Sequence, residues 1–143
     1  MIGRRPGLLA TLLALWGCGV GAQATTPLPG PDRAGFEDAA GEILARRCGT
    51  STCHGRAERP FSLFAPGQRR LPPTGTFART PLGPAELDAN YAATLGFLDA
   101  PRALETLLVE KSIGRAAHGG GPVFEHRSDP ECQALRAWIE TAP

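Results

Sequence analysis

Methionine occurs once in this chain of 143 residues, at position 1, so no later thioether is available as a metal ligand. Histidine is nearly as scarce, at His54, His118 and His126, and a Ser/His/Asp catalytic arrangement cannot be argued from those three. The only glycine-rich run, Gly119 to Gly121, is followed by Pro122 and lacks the lysine of a phosphate-binding loop. No apolar stretch is long enough to cross a bilayer, which argues against a transmembrane span. Charge of either sign is also lacking in excess: the formal net charge is +1, which gives no basis for nucleic-acid binding. No stretch alternates as a strand and nothing repeats, so the expected fold class is all-α, a small domain of about four helices joined by long Pro/Gly-rich loops.

The first segment reads as an export signal. Arg4 and Arg5 precede an apolar stretch from Leu8 to Trp16, and small residues follow to Ala22-Gln23-Ala24. Residues 1–24 are therefore expected to be a signal peptide, placing the mature chain in the periplasm or otherwise outside the cytoplasm. Cleavage after Ala24 would leave 143 − 24 = 119 residues, and loss of the two arginines would take the formal charge from +1 to −1. Leu15-Trp16-Gly17-Cys18 also resembles a lipobox, which would make Cys18 the site of a lipid anchor. The bulk of Trp16 and the competing Ala22-Gln23-Ala24 site disfavour that reading, and Cys18 is then discarded with the signal.

Residues 25–35 are Pro/Gly-rich and read as a linker, with one domain over 36–143. Phe36, Ala40, Ile43 and Leu44 recur at helical spacing up to Cys48. Pro60 to Pro84 shows no period and reads as a long loop, of a length that wrapping a cofactor would explain. Leu87, Tyr91, Leu95 and Leu98 mark a helix from Ala85 to Leu98, ended by Asp99-Ala100-Pro101. A shorter one carries Leu104, Leu107 and Leu108. Ser128-Asp129-Pro130-Glu131 has the form of a capping box opening a last helix with Leu135, Trp138 and Ile139 on one face.

Chemistry concentrates at Cys48-Gly-Thr-Ser-Thr-Cys53-His54-Gly55. A cysteine joined directly to a histidine, with a second cysteine shortly upstream, is the pattern of a covalently held haem. Two thiols add to the porphyrin vinyl groups and the adjacent imidazole reaches the iron. Cys48 and Cys53 are the expected thioether anchors and His54 the proximal iron ligand, for one covalent haem c. Four residues separate the cysteines where two are usual, so the loop must bulge, and Gly49, Thr50, Ser51 and Thr52 are small enough to let it. Two other readings compete. Cys48 and Cys53 could close a small disulfide in a secreted binding or structural domain without cofactor. Cys48, Cys53 and His54 could instead join Cys132 or His118 around zinc, although adjacent Cys53 and His54 turn awkwardly onto one small ion.

A helix running into these cysteines and a C-terminal helix with an inward aromatic resemble class I cytochromes c, in which those two helices cross at the haem edge. The order Ile43-Leu44, Cys48 to Gly55, Leu104 to Lys111, a turn, then Leu135 to Glu140 is similar to small cytochrome-like domains of secreted planctomycete and myxobacterial proteins. The likeness spans roughly residues 41–58 and 104–140, and its haem motif alone is chemically specific. It implies a periplasmic electron carrier serving redox partner proteins rather than an enzyme. The family often carries a distal Met-Pro pair before the last helix, where this chain has His118-Gly-Gly-Gly-Pro122. With no methionine left to ligate iron, a low potential is expected. His118 is the distal candidate, because three following glycines leave the backbone free to approach a porphyrin face, and His126 is the weaker one. The alternative is a five-coordinate or water-bound iron, which would open the way to ligand binding or peroxidase-like chemistry. Arg69, Arg70 and Arg79 could meet haem propionates or an acidic partner, with a solvated loop the simpler reading. Cys132 reads as a partly buried small hydrophobe, although its place in a first helical turn could lower its pKa. Trp138 and Tyr91 read as core residues.

Overall fold

The structure, a computed structural model, describes residues 30–72, 75, 77–98 and 106–143. The signal peptide, the lipobox with Cys18, and Leu104 lie outside the described residues, as do the stop signals at 99–101. The fold is all-α. Helix starts earlier than the Pro/Gly-rich reading of 25–35 implies, because the Asp32 side chain accepts the Gly35 amide at 2.6 Å and caps α1 (Arg33–Gly35). A π-helical turn over Phe36–Ala40 and α2 (Gly41–Cys48) continue the same rod. The π turn is closed by the Gly41 amide donating to the Phe36 carbonyl, and a side chain on Gly41 would sit 2.9 Å from the Phe36 ring. Phe36, Ala40, Ile43 and Leu44 are buried, as their spacing implies.

The remaining helices are α3 (Pro84–Leu95), α4 (Leu107–Ser112) and α5 (Pro130–Ile139). Helix α5 packs against the π turn, where Phe36 and Trp138 rings lie 5.3 Å apart and the Trp138 Nε1–H donates to the Asp32 carbonyl at 2.7 Å. Tyr91 closes the same cluster: its ring meets Phe36 at 5.3 Å and its hydroxyl donates to the Pro31 carbonyl. Trp138 and Tyr91 are thus packing residues. Fully buried Cys132 is too, and burial pushes its thiol up, against the lowering expected from the helix end.

Three sequence expectations need correction. The cap of α5 is Asp129, whose Oδ1 accepts the Glu131 and Cys132 amides, rather than a Ser128–Glu131 box. Pro130 supplies no amide at the first position, and Glu131 turns away to pair with Arg46 and Arg47 of α2. Helix α3 exists, but its buried face is Glu86, Asn90 and Thr94, while Tyr91 and Leu95 are half-buried. Those polar groups are tolerated because each is satisfied. Asn90 Oδ1 accepts the Phe64 amide and Nδ2 donates to the Phe64 carbonyl, and Thr94 donates to the Asn90 carbonyl. Finally, Arg70 is no solvated loop residue. Its guanidinium forms two parallel bonds with Glu86, at 2.8 and 2.7 Å, and donates to the carbonyls of Ala78, Thr80 and Pro81. One buried ion pair thereby gathers the loop expected between Pro60 and Pro84 around α3.

Candidate functional site: an apolar cleft between two histidines

The motif loop leaves α2 through Gly49, whose amide donates to the Leu44 and Ala45 carbonyls. The bulge inferred from the four-residue spacer is a tight turn: Cys53 and Gly55 amides both donate to the Thr50 carbonyl, and the His54 amide donates back to the Cys48 carbonyl at 2.9 Å. Gly55 closes it with no room for a side chain, since a Cβ there would lie 2.2 Å from the Gly49 carbonyl oxygen. Returning the chain onto Cys48 brings His54 beside the cysteine six positions earlier, at the mouth of a cleft.

The cleft holds about 820 Å³ of atom-free space, part of it open to solvent, and is walled mainly by apolar side chains such as Leu44, Phe61, Leu108 and Phe124. Cys48, His54 and His118 all line it. His54 comes from the motif loop and His118 from the turn after α4. Their ring centroids lie 5.9 Å apart, with planes within 6° of parallel. The Nδ1 of His54 lies 2.8 Å from the Phe61 carbonyl and that of His118 lies 2.7 Å from the Gly121 carbonyl. A carbonyl only accepts, so each Nδ1 carries a proton, and in the neutral ring each Nε2 keeps a lone pair. Neither Nε2 has a hydrogen-bond partner among the described residues. Burial, with smaller contributions from His118 and Arg59, holds the His54 pKa below its ordinary value, which keeps that lone pair free of a proton.

This is the donor arrangement of a metal-bound imidazole, with its far nitrogen fixed by a backbone carbonyl. Two imidazole nitrogens meeting one metal ion from opposite sides, through bonds of about 2 Å each, place their ring centres about 6 Å apart. The observed centroid separation is of that length, and a shared ion requires in addition that the two Nε2 lone pairs, which lie in the ring planes, converge on it. The cysteines fit less evenly. Cys48 lines the cleft and is buried, which raises its thiol pKa to about 12, whereas Cys53 is half-buried and does not line it. Both are free thiols, as is Cys132.

Other expected residues fall elsewhere. His126 is exposed and bonded to Ser128. Arg69 lies over the Phe64 ring at 4.0 Å, and exposed Arg79 borders a separate groove with Glu37 and Glu42. No group of three or more His, Cys, Asp or Glu suited to a metal ion is found among the described residues, so the zinc set of Cys48, Cys53 and His54 with Cys132 or His118 is not assembled. A haem iron asks less, because the porphyrin supplies four of its ligands. Phe61, Phe97, Arg59 and Lys111 join the cleft wall with no local sequence signal, although the Phe61 carbonyl sets the His54 tautomer.

No family model, curated protein or solved structure matches this chain. Functional inference therefore rests on the chemistry of the cleft.

Proposed function

We propose that the chain is an exported c-type cytochrome domain that binds one haem covalently and passes single electrons between redox partner proteins. The observation that carries this reading is the pair of parallel imidazoles, each with Nδ1 tied to a carbonyl and Nε2 free, on an apolar cleft entered by the Cys48–His54 loop. Cys48 and Cys53 are the thioether anchors, His54 is the proximal ligand and His118 the distal one. When bound, haem supplies an iron that cycles between ferrous and ferric states. The residues around it hold the imidazoles in one tautomer, exclude water along the apolar walls and leave no thioether ligand to raise the potential. Among the described residues no helix is long and apolar enough to cross a membrane.

Electron transfer is favoured over catalysis because His54 and His118 would both hold the iron and leave it no room for a substrate. Carbon monoxide offered to the reduced protein checks this. Slow or absent binding agrees with His118 ligation, and rapid binding indicates an open iron and a ligand-binding or peroxidase-like role. The competing reading, a secreted domain without cofactor closed by a Cys48–Cys53 disulfide, is separated by Cys48→Ser: a haem protein loses stable covalent pigment, whereas a disulfide domain loses only stability.

A further inference from the structure

Haem is not purely apolar, since it carries two propionate carboxylates, and a carboxylate entering an apolar cleft needs a cation or hydrogen-bond donors to meet it. Of the arginines first considered for that role, Arg70 is consumed by Glu86, Arg69 by the Phe64 ring and the Ser62 hydroxyl, and Arg79 faces a different groove. The cations on the histidine cleft are Arg59, five residues beyond His54, and Lys111 on α4. Neither forms a salt bridge among the described residues, Arg59 acting only at longer range on Glu58, whereas Arg33, Arg46, Arg47, Arg56, Arg115 and Arg127 are all ion-paired. Lys111 is also positioned: its Nζ donates to the Ala117 carbonyl at 2.9 Å, fastening α4 to the turn that carries His118 and leaving two ammonium protons unspent.

We infer that Arg59 and Lys111 are the carboxylate-binding residues of the cleft, one cation for each haem propionate. The inference rests on the haem reading and adds the polar half of the site to it. Two cations and two carboxylates then close a charge balance that the protein alone leaves open at this mouth. The same cations favour the ferrous over the more positive ferric state.

The experiment uses the mature holoprotein, with wild type first shown to carry covalent haem. Resonance Raman spectra report the propionate-bending band, and a redox titration at pH 7 and low salt reports the midpoint, for Arg59→Gln, Lys111→Gln and their double variant. The band is expected to shift in each, and the double variant to lose about tenfold in its reduction equilibrium constant, about 59 mV for one electron. Arg59→Lys with Lys111→Arg keeps both charges and should return the midpoint to within about twofold of wild type. Arg79→Gln should leave band and midpoint unchanged. A double variant with wild-type band and midpoint on intact pigment overturns the assignment while leaving the cytochrome reading in place. A colourless wild type, by contrast, overturns the cytochrome reading itself.

Discussion

Two regions of the molecule treat polar atoms in opposite ways. Around Arg70 and Glu86 they are buried and paired: Glu86 takes two bonds from the guanidinium, one from the Leu71 amide and one from the Gly83 amide, and Asn90 satisfies both backbone groups of Phe64. On the His54–His118 cleft, among the described residues, two imidazole nitrogens have no protein partner, and exposed Arg59 and half-buried Lys111, which spends one proton on the Ala117 carbonyl, line the same hollow without an ion pair. A saturated polar cluster holds a fold together, whereas pre-oriented unsatisfied groups are costly without a ligand. The first region stabilises the fold, and the second is the one that the haem reading assigns to a ligand.

The strongest way to break this contrast is Glu86→Ala, which leaves Arg70 charged and buried. A loss of about 3–5 kcal/mol in unfolding free energy is expected by denaturant titration, with any haem spectrum unchanged in the fraction that folds. The same carboxyl adds an acid limb to stability. Arg70 holds its folded pKa at about 2, below the ordinary 4.5, so the unfolded chain takes up its proton first as pH falls. Its stabilisation is present in full above about pH 4.5 and is lost between there and about 2, a slope that Glu86→Ala should flatten in acid unfolding curves. Asn90→Ala comes next, at about 2 kcal/mol, for two bonds to Phe64 lost and one buried backbone amide stranded.

On the open side the order of effects reverses. His118→Ala removes a half-buried side chain with one hydrogen bond, so its cost in stability is expected to stay near 1 kcal/mol. Its spectroscopic effect should be complete instead: conversion of a low-spin to a high-spin haem that binds carbon monoxide readily. A large loss of stability with no spectral change would place His118 among the packing residues and erase the distinction between the two regions.

Much of the open side was legible because its chemistry is local in sequence. The haem reading turns on adjacent Cys53 and His54, and a turn through the small residues Gly49 to Thr52 follows from the spacing, whereas the part of Gly55 in closing it emerges only from the fold. His118 stood out through its three glycines, although its meeting with His54 depends on a fold joining residues 64 apart. The paired side was hidden for the opposite reason. Apolar periodicity chose Leu87, Tyr91 and Leu95 as the inner face of α3, and it cannot register that Glu86 and Asn90 become buriable once Arg70 and the Phe64 backbone satisfy them. The cap of α5 is Asp129 rather than Ser128, with Glu131 turned instead to Arg46 and Arg47 of α2 at the surface. Arg59 and Lys111 carry no local signature, being brought to one cleft only by packing.

The most direct measurement is a pyridine haemochrome spectrum with a haem-stained denaturing gel, on the full 143-residue chain expressed in a host that matures c-type cytochromes. One covalent haem per chain is the expected result. A colourless chain, under conditions where a control cytochrome matures, would contradict it and leave the cleft to a different ligand.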